Sequence, residues 1–237
     1  ISMTDTDDKR IIQAVEAMDD IDKAANELSE RLTEWYGVYF PELELTAESM
    51  ARFVARFGSR ENVPENHDMF AKASSSMGAE LSLVDEDLLR NFAASLCGIY
   101  DTRKHLEQYI MNNMGAVAPN LTNIAGAPLG ARLISLAGGL EKLAAFPSST
   151  VQVIGASNAL FKHLRSRAPS PKHGVIFNHP LIKGSPWWQR GKIARALAAK
   201  ISLAVRMDVY GGKPDPSIKE NLERKVEAIW KAHPEPP

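Results

Sequence analysis

Apolar and small residues recur at Ile11, Ala14, Met18, Ile21, Ala25, Leu28, Leu32 and Trp35. The steps alternate three and four without a break, which holds one seam of an α-helix against a partner. A second seam runs Leu89, Phe92, Leu96, Ile99, Arg103, Leu106 and Ile110, interrupted only by Arg103. Each seam predicts a helix of about 28 residues, roughly 40 Å long at about 1.5 Å per residue. Either stripe alone suits the core of an ordinary bundle. Two of matched length, separated by a folded excursion and bearing an acidic exterior, predict a long antiparallel coiled-coil arm over residues 1–116. The excursion, about 37–84, forms a helical tip: Pro41 redirects the chain, and Met50, Phe53, Val54 and Phe57 line one face of a helix from Ala47 to Phe57. Gly58 stops that helix, a polar loop follows over residues 59–68, helix resumes over Met69 to Ala73, and Asp85 is the expected N-cap of the second seam. Trp35, Tyr36, Tyr39 and Phe40 crowd the approach to the tip and are the expected dimerisation anchors.

Residues 117–237 read as a compact helical module beyond a small-residue junction, Gly115 to Pro119. Leu129 to Phe146 fits one helix with Leu133, Leu136, Leu140 and Leu143 inward, and Gly138-Gly139 marks a close contact or a break. Ser148 to Thr150 can cap a helix from Val151 to about Ser166. Four prolines make residues 167–186 mostly loop, with room for a short strand at Val175 to Phe177. A long helix from Trp187 to about Val209 sets Lys192, Arg195 and Arg206 on one face and Ile193, Leu197, Ile201 and Ala204 on another. Gly211-Gly212 ends it, and Ser217 to His233 forms a last helix. Period-two alternation is nearly absent, so the expected fold class is all-α.

Charge divides the chain at the same place. Residues 1–116 hold 11 Lys/Arg against 22 Asp/Glu, and residues 117–237 hold 17 against 7. Between Thr150 and Lys213 stand 11 basic residues and one acid, Asp208. A formal net charge of −1 therefore conceals an acidic half and a basic half, and the basic half is expected to face a polyanion.

Enzyme signatures are missing from the sequence: no phosphate loop, no dinucleotide fingerprint, no H-E-x-x-H. Cys97 is the single cysteine, which excludes an internal disulfide and a thiolate zinc cage, and it sits beside the arm's seam as a packed thiol. No run of about 18 apolar residues occurs, since Ala125 to Leu140 is broken by Pro128, Arg132 and glycines. The polar start, Ile1 to Asp5, carries no signal-peptide pattern, and two residues ahead of Met3 suggest a piece of a longer chain. An intracellular, soluble protein is the expectation. His163, His173 and His179 lie close enough to weigh a zinc site. No carboxylate falls between Thr150 and Met207 to support it, and Lys162, Arg165, Arg167 and Lys172 would repel a cation, so neither metal nor cofactor is expected. Imidazoles among cations better serve phosphates or bases. The stretch from Gly155 to Arg167 supplies small residues for backbone approach, cations for phosphates, Ser157 and Asn158 as neutral partners, and Phe161 as a stacking ring or a core residue.

These residues resemble the Nop domain. Gly155-Ala-Ser-Asn-Ala-Leu-Phe-Lys-His is similar to its G-A-x-x-A-L-F motif. Its neighbours agree in order: Ala118-Pro-Asn-Leu-Thr122, Gly130-Ala-Arg-Leu-Ile134, Ala137-Gly-Gly-Leu140, Phe146-Pro-Ser-Ser-Thr-Val-Gln152, His173-Gly-Val-Ile-Phe-Asn-His179 and Arg190 to Lys200. In the acidic half, Leu28 to Leu43 resembles the arm segment of the same proteins. The resemblance, closest to archaeal members, implies a non-catalytic scaffold of a box C/D ribonucleoprotein that guides RNA 2′-O-methylation in rRNA processing. It implies an arm that self-associates and a module binding kink-turn guide RNA together with a ribosomal-type kink-turn protein. Fibrillarin, the methyltransferase, is reached in this family through a separate N-terminal domain that this chain lacks. The implied location is the cytoplasm of an archaeal cell, or the nucleolus of a eukaryote. One departure matters: Ser157-Asn158 stands where the family commonly has Glu-Lys, which puts a charge contact there in doubt.

The expected RNA and ribonucleoprotein site is therefore Gly155, Ala156, Ser157, Asn158, Phe161, Lys162, Arg165, Lys172, His173, His179, Arg190, Lys192 and Arg195. The alternatives are a protein-only coiled-coil adaptor and a spliceosomal-type Nop protein.

Overall fold

The computed structural model describes residues 4–156 and 171–236. Among them are eleven α-helices, two short 3-10 turns and no strand, so the fold is all-α. The chain forms two compact units, residues 17–106 and residues 1–16 with 107–237. This division falls inside two long helices, α1 (Thr4–Tyr36) and α4 (Leu83–Val117), and α4 runs unbroken through Gly115 rather than parting there.

In the 17–106 unit the seams of α1 and α4 face each other. Arg103, the residue that interrupts the second seam, places Nε 2.5 Å from Asp22 Oδ1 on α1. Three residues back, Tyr100 Oη lies 2.7 Å from Ser29 Oγ. Ser29 spends its own proton on the Ala25 carbonyl, so Tyr100 is the donor. Partners climb one helix as they descend the other, which makes the pair antiparallel. The interruption is thus a matched charge, not a flaw.

The tip packs α2 (Ala47–Phe57) and α3 (Phe70–Ser74) against this pair. Thr46 caps α2 by accepting from the Ser49 N–H, and Met50, Phe53, Val54 and Phe57 are buried as the periodicity predicts. Tyr36 and Phe40 are buried in the same cluster, with Phe40 and Phe53 ring centroids 6.1 Å apart. The Tyr36 hydroxyl donates to the Gly58 carbonyl at 2.7 Å, and burial pushes its phenol well above the usual range. These two rings are core residues, which corrects their assignment as surface anchors; Trp35 and Tyr39 remain half-buried. The loop after Pro41 is tied down by Glu42, which accepts from Ser76 Oγ at 2.5 Å and the Met77 N–H at 2.9 Å. Helix α4 begins two residues before Asp85: Ser82 is the cap, accepting from the Asp85 N–H at 3.1 Å and donating its hydroxyl to Asp85 Oδ2 at 2.6 Å, and Asp85 lies in the first turn. Cys97 is half-buried against this core, and burial raises its thiol pKa.

The other unit is built on α10 (Arg190–Val209), which packs against α5 (Pro119–Ala125), α7 (Leu140–Ala145), α8 (Ser148–Val153) and α11 (Ser217–Ala232). Its buried face is Ile193, Ala194, Ala196, Leu197, Ala198, Ile201, Ser202, Ala204 and Val205, where alanines let neighbours approach closely. Helix α6 (Ala127–Ala137) ends where a single helix to Phe146 was expected. Gly138 and Gly139 take φ of 76° and 138°, a backbone turn open to glycine, and α7 starts beyond it. The Asp8 carboxylate accepts from the Leu140 N–H at 2.9 Å. At the other end of α7, Arg206 Nε donates to the Ala144 carbonyl at 3.1 Å.

Asp208, the lone acid of the basic stretch, does a structural job. Its carboxylate accepts from the backbone N–H groups of Asn120 and Leu121 and from Asn120 Nδ2, each at 2.9 Å. That satisfies the first turn of α5. Instead of a strand, residues Val175–Asn178 form a 3-10 turn, leading into α9 (Pro180–Lys183).

Candidate nucleic-acid interface

The interface begins where α8 ends. Gly155 has φ of 83° and leads to Ala156, the last residue described before position 171. Returning, the chain lies alongside its own departure: the Gly174 N–H donates to the Gln152 carbonyl and the Val175 N–H to the Ile154 carbonyl, both at 2.8 Å. Gln152 Nε2 donates to the Lys172 carbonyl at 2.7 Å. A Cβ on Gly174 would lie 1.9 Å from the Ile154 oxygen, so the two backbones touch only because that residue is glycine. Residues 152–154 and 172–175 are thereby fixed side by side.

Around this clamp the structure gathers Gly155, Ala156, Lys172, His173 and Arg190. Gly155, Ala156 and His173 line one shallow hollow with Arg132 and Asn178. The His173 ring stacks on Phe177 with centroids 4.7 Å apart and planes 21° from parallel. The Arg190 guanidinium lies 5.4 Å from the Phe177 ring centre, and its Nε is held by the Ser185 carbonyl at 2.8 Å. Lys172 places its ammonium 5.5 Å from the Trp187 ring centre. Cations laid on flat rings are poised for an anionic, planar ligand. Burial, with the charges of Arg190 and Lys172, lowers the His173 pKa below the usual imidazole value.

Other expected residues fall elsewhere. His179 is withdrawn from the interface: it is buried, its Nδ1 accepts from the Leu181 N–H at 3.2 Å, and its Nε2 donates to the Ile124 carbonyl at 3.0 Å. Burial, with Lys219 nearby, lowers its pKa and keeps it neutral. Arg190, Lys192 and Arg195 do not form one face, since Arg190 and Lys192 point to opposite sides of α10 at about 100° per residue. Lys192 Nζ lies 2.5 Å from His233 Nε2, while Arg195 is exposed. Ser157, Asn158, Phe161, Lys162 and Arg165 lie outside the described residues. Arg132, Asn178 and Gln152 were missed as site residues, although all three sit in the quoted motif segments; a polar residue within a small-residue helix, as Arg132 is, was the available signal. Among the described residues no group of three or more His, Cys, Asp or Glu could hold a metal ion.

Residues 17–231 match the family described as Nop, snoRNA binding domain, fibrillarin. The chain belongs to the Nop family. An uncharacterized NOP5 family protein of Methanocaldococcus jannaschii is 47% identical to this Nop chain over 97% of it and 59% of the relative. Nucleolar protein 58 of Aspergillus fumigatus is 37% identical over 94% of the chain and 42% of the relative. The chain thus spans about half the length of these curated relatives. The crystal structure of a fibrillarin/Nop5p complex shares the Nop fold, with a TM-score of 0.63 and 27% identity over 94% of this chain and 69% of that one. Among the described residues no helix is long and apolar enough to cross a membrane.

Proposed function

We propose that this Nop chain is an assembly scaffold of a box C/D-type 2′-O-methylation ribonucleoprotein. The observation that carries the reading is the set of Lys172, His173 and Arg190 on aromatic rings at the clamped ends of the Gly155 segment, the stretch bearing the family's G-A-x-x-A-L-F pattern. Its ligand is a kink-turn guide RNA already held by a kink-turn protein, so that neither partner suffices alone. The chain brings no chemistry of its own; fibrillarin supplies it, reached through a separate domain of the whole protein. An archaeal cell would hold this assembly in its cytoplasm and a eukaryotic one in its nucleolus, the place that names the fungal relatives.

The test is an RNA shift assay with kink-turn RNA, with and without the kink-turn protein. Shift in the presence of both partners is expected. Equal binding to an RNA with no kink-turn overturns the kink-turn reading, and no RNA binding under either condition overturns the scaffold reading and leaves a protein-only adaptor. Self-association belongs to the same proposal, through the outer surface of the α1–α4 hairpin near Trp35 and Tyr39. Sedimentation should show a dimer at micromolar concentration, and a clean monomer at high concentration would remove this part.

A further inference from the structure

The family pattern, the motif and the expected site all leave out Trp187. It is 57% exposed, an unusual amount for a tryptophan in a helical module. Its neighbour Trp188 is anchored, donating from Nε1 to the His233 carbonyl at 3.1 Å, and Gln189 Nε2 donates to the same carbonyl at 2.6 Å. Trp188 meets Trp187 edge-on, with ring centroids 5.9 Å apart and planes at 88°. The Lys172 ammonium sits by the Trp187 ring, and the Lys172 stem runs past Gly191, where a Cβ would lie 3.7 Å from it. Trp187 is therefore a large flat ring braced edge-on by Trp188, with a cation over it and more than half of its surface open to solvent.

We propose that Trp187 is a stacking platform for an unpaired RNA base, with Lys172 neutralising the adjoining phosphate. The inference rests on the RNA-binding reading above and adds a contact to it. A base offers a π-face to an exposed indole whatever its identity, and the Lys172 ammonium over the ring supplies a cation for the phosphate that follows it. Pairing one ring with one cation suits a single-stranded nucleotide better than a duplex, whose bases are stacked on each other.

The experiment compares wild-type, Trp187→Ala, Trp187→Phe and Lys172→Ala chains binding kink-turn RNA with the kink-turn protein across a salt series. Trp187→Ala should bind about 5- to 150-fold more weakly, the worth of one stacked base. Its salt slope should be unchanged, because stacking releases no counterion, whereas Lys172→Ala should lower the slope by about 0.7–0.9. Trp187→Phe should recover most of the affinity. RNA should also quench tryptophan fluorescence in the wild type and not in Trp187→Phe, a readout that holds even if the alanine variant folds poorly. Wild-type RNA binding with an unchanged Trp187→Ala affinity overturns the platform and leaves the scaffold reading standing. Quenching by the kink-turn protein without RNA assigns the ring to a protein contact and also overturns it. Absence of RNA binding by the wild type overturns both.

Discussion

His179 shows how a residue that looks functional becomes structural once the chain is folded. Both ring nitrogens are engaged inside the module, and burial holds its pKa below the unfolded value of about 6.5. The native state therefore binds the proton less readily than the unfolded chain. The stability this group contributes is full above about pH 6.5 and is lost as pH falls below that, where the unfolded chain takes up the proton first. His173 acts in the same direction. Urea unfolding at pH 7.5 and 5.5 should show lower stability at the acid value. Replacing His179 by alanine should cost about 1–3 kcal/mol at pH 7.5, since it leaves the Ile124 carbonyl and the Leu181 N–H unpaired, and should flatten the pH dependence. Gly174 illustrates the reverse case, a motif residue whose value is the space it leaves. Its alanine variant must push the Ile154 carbonyl away and should lose about 3 kcal/mol, read as a lowered urea midpoint.

At the scale of elements, Asp208 and α5 are joined across 88 positions of sequence. Three N–H groups converge on one carboxylate there, so Asp208→Ala should cost about 2–3 kcal/mol in thermal or urea unfolding, with Asp208→Asn recovering part of it through one remaining acceptor oxygen. Sequence alone shows Asp208 only as an odd acid in a basic run, because its partner is distant and helix starts advertise nearby caps. Helix α2 is the opposite: Met50, Phe53, Val54 and Phe57 keep period, Thr46 precedes them and Gly58 follows, so every signal is local. The seams were equally legible, down to the interruption at Arg103, whose partner Asp22 could not be read because it sits off the first seam's apolar positions. Gly138-Gly139 announced a break or a contact without deciding between them; the positive φ values decide it. Val175 to Phe177 is β-branched and aromatic and reads as a strand, yet the backbone beside it, Gln152 to Ile154, offers two hydrogen bonds before the chain tightens into a 3-10 turn. The candidate interface shows in the sequence only as a motif and a charge bias; Phe177 and Trp187 could not be read with it because only folding brings them beneath Arg190 and Lys172.

Across the whole molecule, the basic and acidic halves make different electrostatic demands. Lys23 and Arg10 pair with Asp20 and Asp7 one turn away on α1, at 3.5 and 3.6 Å, so their charge is locally answered. Replacing Lys162, Arg165 and Lys172 together by alanine should lower the salt slope of ternary-complex formation by about 2–3, at about 0.7–0.9 per lost phosphate contact, and weaken binding uniformly across RNA sequences. The same treatment of Lys9, Arg10 and Lys23 should leave the slope unchanged; an equal loss there would move the site off the module. The clamp between Gln152–Ile154 and Lys172–Val175 bears on how such a site changes over time. The two flanks hold each other by hydrogen bonds of their own, so their juxtaposition is set by residues 152–154 and 172–175. By closure entropy alone, doubling the number of residues between the flanks would cost only about 0.6 kcal/mol, so length there is a weak constraint on stability. The hydrogen-bonded flanks thus mark a place where an insertion or deletion costs the module little chain entropy.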